Sequence, residues 1–180
     1  MKWLCVLLCA LFMGCGGHQQ PVHRGADAII QYKRGTAFYL TYCGKRYLVT
    51  AGHLIAEVNT NYRDVHVVPV AGEGPSLEPS FVNVPMRLLP DEMGRSRWKA
   101  HIIGFVEDMR VKTRGLVCGR VVRDDFDLIY TTVPMKHGMS GSPVMNSEGK
   151  VIGIAVQILS GKGRAKSACT PIAWALAKVR

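Results

Sequence analysis

A chain of 180 residues with 48% hydrophobic and 20% charged side chains can bury one or two globular cores and is no disordered polymer. Its formal charge of +10 is scattered, from Lys33, Arg34, Lys45 and Arg46 through Arg110, Lys112 and Arg114 to Lys162, Arg164 and Lys166. No run is dense and aromatics do not interleave, so a solvated basic surface is favoured over a nucleic-acid or anionic-lipid module.

Residues 1–15 read as a targeting segment. Lys2 supplies the positive end, and Trp3 to Met13 is an apolar run, short for a membrane span but suited to a signal-peptide core. The run ends in Phe12-Met13-Gly14-Cys15. A small residue before a cysteine at that point resembles a bacterial lipobox, although Phe12 stands where leucine is preferred. The expectation is an exported protein, either anchored to the membrane through Cys15 or plainly secreted. Residues 16–25, rich in Gly, Gln, Pro and His, read as a linker.

Short strands with turn signals follow. Ala28 to Lys33, Thr36 to Tyr42 and Arg46 to Thr50 form three successive strands, the last two joined by a hairpin turn at Cys43-Gly44-Lys45. Val65 to Val70 is a fourth strand, and Ala71-Gly72-Glu73-Gly74-Pro75 a loop. Phe81 to Leu89 reads as a strand confined to an edge or a bulge by Pro85. Pro90 to Arg97 reads as the crossing between two halves. Ala100 to Phe105, Gly115 to Val122, Leu128 to Val133, Val144-Met145, Val151 to Ile158 and Ala168 to Ile172 are the strands of the second half. Asn146 to Gly149 is a hairpin turn, and Ala173 to Val179 a short terminal helix. Many short strands with regular turns and no βαβ alternation indicate an all-β fold.

Cys5, Cys9 and Cys15 fall in the targeting segment, leaving Cys43, Cys118 and Cys169 in the body. An odd number allows at most one internal disulfide. No C-x-x-C pair or Cys/His cluster has zinc spacing, so no metal is expected.

Two segments carry chemistry. In His137-Gly138-Met139-Ser140-Gly141-Ser142-Pro143-Val144 a serine sits between glycines before an apolar strand. Such a loop can present a hydroxyl beside converging backbone N–H groups, as acyl transfer requires. Upstream, Tyr47-Leu48-Val49-Thr50-Ala51-Gly52-His53 places a histidine directly after a β-type run.

Together these segments resemble the trypsin-like (chymotrypsin-fold) serine peptidases. Thr50-Ala51-Gly52-His53 matches the family's T-A-x-H, and Gly138 to Pro143 its G-x-S-G-[GS]-P, in the family's chain order. Gly35-Thr36-Ala37-Phe38 before the histidine and Gly149-Lys150-Val151-Ile152-Gly153-Ile154 after the serine resemble the degradative and viral branch most closely. The resemblance runs from about Ala28 to Ile172. It implies two small antiparallel β-barrels with a short C-terminal helix, over residues 26–180. The first barrel would span about 26–92 and the second about 98–180.

It also implies a serine endopeptidase acting on polypeptide without a cofactor. His53 would be the base, since its ordinary pKa lies near neutrality, and Ser140 the nucleophile. The N–H groups of Gly138 and Ser140 would form the oxyanion hole. Met139 stands where trypsins carry an aspartate, which argues against trypsin-style N-terminal activation. The orienting acid is expected just before an apolar strand, and Asp64-Val65-His66-Val67-Val68 has that pattern. Glu78, Asn83 and Asp91 are the alternatives, as is a dyad; Asp127 falls too near Ser140. The regions implied to line the specificity pocket, Thr132 to Lys136 and Ala155 to Gln157, contain no acid. A small or apolar side chain before the cleaved bond is therefore expected rather than Arg or Lys. A non-catalytic relative that binds peptide on the same scaffold is the rival reading. No appended module is expected after the peptidase-like region.

Overall fold

A computed structural model describes residues 25–55, 64–88, 95, 98–123, 127–177 and 179. The targeting segment with Cys15, nearly all of the linker, Asp91 and most of the expected crossing at 90–97 lie outside the described residues.

The N-terminal half is an antiparallel sheet in the order β1 (Ile29–Tyr32), β2 (Gly35–Tyr42), β3 (Lys45–Thr50) and β4 (His66–Pro69). Cys43 and Gly44 join β2 to β3 with φ of 48° and 71°, the left-handed pair whose twist suits a two-residue hairpin. The C-terminal half is a closed six-stranded barrel. Its strands are β5 (Lys99–Val106), β6 (Met109–Val122), β7 (Asp127–Thr131), β8 (Pro143–Asn146), β9 (Val151–Ile158) and β10 (Ser167–Pro171). Around the barrel they run β10-β7-β6-β5-β8-β9. Helix α1 (Ile172–Ala177) follows β10 and buries Ile172, Ala175 and Leu176.

Two departures from the sequence reading have local causes. Phe81 to Leu89 forms no strand over its described residues, 81–88. Pro85 lacks an N–H and cannot propagate a ladder. The segment instead makes separate bonds to β6, from Leu88 N–H to Cys118 O (3.1 Å) and from Arg120 N–H to Pro85 O (3.1 Å). It still buries Val84 and Leu88 in the barrel. Strand β6 begins at Met109, ahead of the Gly115 expected, because Glu107 and Asp108 both adopt positive φ (47° and 67°) and close a tight β5–β6 turn without glycine.

Side-chain alternation divides the core in two. Ile102 and Val144 join Val117, Ile129 and Ala155 in one cluster. Their neighbours Ile103 and Met145 join the other, with Phe38, Leu40 and Val49 of the sheet and Ile172 and Leu176 of α1. Strands β5 and β8 thus serve both cores and weld the halves together. Each fully buried Leu, Ile or Phe contributes about 2 kcal/mol relative to exposure. That welded junction carries the loop before β8 and the turn after β3.

Candidate active site

Strand β3 ends at Thr50, and a single 3-10 turn, Gly52–Leu54, holds His53 part-buried. The β3–β4 register pairs Thr50 with His66. Carried two residues beyond both strand ends, it sets Asp64 opposite Gly52, beside His53. Asp64 is 7% exposed. Its Oδ1 accepts the His53 backbone N–H at 2.7 Å, and its Oδ2 meets His53 Nδ1. A side chain at position 52 has no room, since its Cβ would lie 2.9 Å from Asp64 Oδ1. The hydrogen bond that His53 makes to Asp64 holds the His53 pKa above its ordinary value; burial opposes this and the carboxylate charge adds to it.

The loop between β7 and β8 carries Ser140. Gly138 and Gly141 adopt φ of 92° and 84°. Met139, fully buried, anchors the loop in the barrel core. Three of its amides are committed: Met139 N–H to Lys136 O (3.1 Å), Gly141 N–H to Ala155 O (2.8 Å) and Ser142 N–H to Met139 O (3.1 Å). Among the described residues, no backbone carbonyl takes the N–H of Gly138 or of Ser140. Two uncommitted amides flanking a serine are the donor set that an oxyanion needs.

The two loops abut. Thr36 N–H in β2 donates to Ser140 O (2.8 Å), and Thr50 Oγ1 in β3 donates to Thr36 O (2.7 Å). A Cβ on Gly141 would lie 2.1 Å from Thr36 O and 3.0 Å from Ala51 N. The residue after the serine therefore touches the segment that leads into the histidine.

The other acids lie elsewhere. Glu78 is exposed and pairs with Lys150 at 3.9 Å, while Asn83 is exposed. Asp127 is buried and accepts Arg120 Nε at 2.6 Å and Trp174 Nε1 at 2.7 Å. In the expected pocket regions Val133, Met135 and Ala155 are buried, and Ser167 Oγ donates to Val133 O at 2.9 Å. Cys43, Cys118 and Cys169 are all free thiols, and burial pushes Cys169 far above the ordinary thiol range. Among the described residues no three His, Cys, Asp or Glu side chains cluster to hold a metal ion. Among them, too, no helix is long and apolar enough to cross a membrane. In the sequence Thr36 stands in a strand and in the Gly35-Thr36-Ala37-Phe38 match, with no role of its own.

Comparison with known proteins returns one family, described as trypsin-like peptidase domain, whose profile matches residues 58–154. That span includes Asp64 and Ser140 and begins just after His53. A protein of Chlamydia muridarum, named probable periplasmic serine endoprotease DegP-like, is 25% identical over 170 residues, covering 84% of this chain and 33% of that protein. A protein of the same name from Marinomonas sp. is 28% identical over 166 residues, covering 82% and 34%. The chain thus spans about one third of the length of these curated relatives. Among solved structures, a serine endoprotease from Yersinia pestis superposes with a TM-score of 0.63 at 17% identity, over 87% of this chain and 62% of that one. The HtrA-type protease AlgW, solved with a tripeptide, gives 0.61 at 20% identity, over 87% and 60%. At these identities the likeness is one of fold.

Proposed function

This chain belongs to the trypsin-like peptidase domain family, and from that membership we propose that it is a serine endopeptidase, with residues 26–180 as its catalytic domain. The observation that carries this reading is the pair of uncommitted amides at Gly138 and Ser140, on a loop that abuts the strand end leading into a histidine held by a buried carboxylate. Ser140 Oγ attacks the substrate carbonyl carbon while His53 Nε2 takes its proton. Asp64 fixes the tautomer with the proton on Nδ1 and stabilises the imidazolium. The Gly138 and Ser140 N–H groups receive the charge that forms on the carbonyl oxygen. His53 then returns the proton to the leaving amine, and the acyl-enzyme remains. Water, deprotonated by the same histidine, attacks the ester carbonyl; the bond to Ser140 Oγ breaks, His53 returns the proton to that oxygen, and the acid leaves.

The substrate is polypeptide. The lack of an acid in 132–136 and 155–157, the regions expected to line the specificity pocket, favours a small or apolar side chain before the cleaved bond. Export is supported by the apolar leader and by relatives named as periplasmic. We extend it to membrane anchoring through Cys15, which fractionation of full-length protein and Cys15→Ser tests: the variant should leave the membrane.

The primary test is a fluorophosphonate probe applied to the purified protein, Ser140→Ala and His53→Ala. Labelling that requires both residues is expected. An unlabelled but folded wild type would overturn the peptidase reading in favour of a peptide-binding relative.

A further inference from the structure

We propose that Thr36 is a positioning residue whose hydroxyl locks the oxyanion loop in its anion-binding shape, an inference that rests on the peptidase reading above. Thr36 is completely buried, and every polar group it has is engaged. Its N–H donates to Ser140 O at 2.8 Å and its carbonyl accepts Thr50 Oγ1 at 2.7 Å. Its Oγ1 accepts the Phe105 N–H at 3.0 Å and donates to Gly138 O at 3.0 Å. The direction of this last bond is dictated. A backbone N–H can only donate and a carbonyl can only accept, so the single hydroxyl proton is committed to Gly138 O.

Thr36 thus grips the loop at both residues whose amides are uncommitted. The backbone bond fixes the Ser140 carbonyl, and the side chain fixes the Gly138 carbonyl. Gly138 needs that restraint most. At φ 92° a glycine has many accessible conformations, and nothing in its own chemistry holds this one. With the Gly138 carbonyl tied to Thr36 and the Met139 N–H tied to Lys136 O, the Gly138–Met139 peptide plane is held at both ends. The Gly138 N–H belongs to the preceding peptide, and release of the carbonyl end lets φ and ψ of Gly138 change, which turns that N–H relative to the Ser140 N–H. The hydroxyl packs tightly: a Cβ on the facing Gly104 would lie 3.1 Å from Thr36 Oγ1 and 2.0 Å from Ser142 Oγ. The hydroxyl also binds β5 of the barrel to β2 of the sheet, so the anion site is set by the junction of the two halves.

The test is the kinetics of fluorophosphonate inactivation at rising probe concentration, which separates the maximal rate kinact from the probe's apparent affinity KI. Thr36→Val keeps the volume and removes the hydroxyl; Thr36→Ser keeps the hydroxyl. The valine variant should lose about 10–100-fold in kinact, as expected for a misplacement on the ångström scale. Its KI should stay within about twofold, and serine should restore kinact. A role in packing alone predicts the reverse order, since serine makes the larger void. If valine does not fold, Thr36→Ala replaces it and is compared with Thr36→Ser. Wild-type kinact in a folded hydroxyl-free variant, or equal losses in the serine and hydroxyl-free variants, would overturn the proposal and leave the peptidase reading standing. Absence of labelling in the wild type would overturn both.

Discussion

Asp64 holds His53 twice, through its backbone N–H with Oδ1 and through Nδ1 with Oδ2. The two contacts do different work. The backbone bond shapes the turn, while the ring contact selects the tautomer. Asp64→Asn can keep the first, because an amide oxygen still accepts the N–H, but its amide donates to Nδ1 and pushes the ring proton to Nε2. That tautomer cannot accept the Ser140 proton. Inactivation and turnover should fall by about four orders of magnitude, with little change in stability on the alkaline side of neutrality. A loss under tenfold in the folded variant would remove Asp64 from the mechanism.

The pH dependence follows from the same pair. The hydrogen bond and charge of Asp64 raise the His53 pKa above 6.5 against the opposing effect of burial. General-base action needs neutral imidazole, so kinact should rise with pH through a midpoint above 6.5. In Asp64→Asn only burial remains, and the acid limb should shift to lower pH. The stability sign is opposite to the activity sign. A pKa raised on folding makes the pair most stabilising below the unfolded value, and that contribution fades as pH rises through the folded one. Urea melts of wild type against Asp64→Asn should diverge most on the acid side of neutrality. An acid limb that stays in place in the variant would refute this account.

The strands of the fold were largely legible in the sequence, because β3 and β9 are short apolar runs bounded by turn residues, as at the Cys43-Gly44 hairpin and Asn146 to Gly149. Phe81 to Leu89 misled because Val84 and Leu88 are buried without a ladder, and Pro85 shows only that a ladder is interrupted. The start of β6 was hidden because Met109 to Arg114 is half charged and its turn uses Glu107 and Asp108 rather than glycine. The contact of Asp64 with His53 is local, and the D-V-H-V-V pattern pointed to it. Spacing alone could not separate it from Glu78, since the register Thr50 to His66 is a property of the folded sheet. Thr36 was illegible for a stronger reason. Its partners, Gly138, Ser140 and Phe105, lie far along the chain, and no local pattern announces bonds across the junction of the two halves.

Neighbouring substitutions after the serine should have opposite outcomes. Gly141 combines φ of 84° with a Cβ position 2.1 Å from the Thr36 carbonyl, so Gly141→Ala adds backbone strain to a collision with rigid main chain. It should cost at least about 3 kcal/mol and abolish labelling. Ser142 Oγ is fully buried and makes no hydrogen bond. Ser142→Ala removes a desolvated hydroxyl and should leave stability equal or raise it by about 1 kcal/mol. Thermal melts of both variants decide. A loss above about 1 kcal/mol in Ser142→Ala would show that its hydroxyl has a partner after all.

Asp127 shows what a buried acid does away from the chemistry. Its carboxylate is 2% exposed and ties β6 to α1 by accepting Arg120 and the Trp174 indole. Arg120→Met strands that negative charge in the interior, which should cost about 3–5 kcal/mol. Because the penalty comes from the stranded charge more than from the lost attraction, Arg120→Met with Asp127→Leu should recover much of it. These bonds of the pair run between β6, Asp127 and α1, and kinact of the folded single variant should match wild type. A double variant no more stable than Arg120→Met would mean that the ion pair itself, rather than relief of a stranded charge, stabilises this end of the barrel.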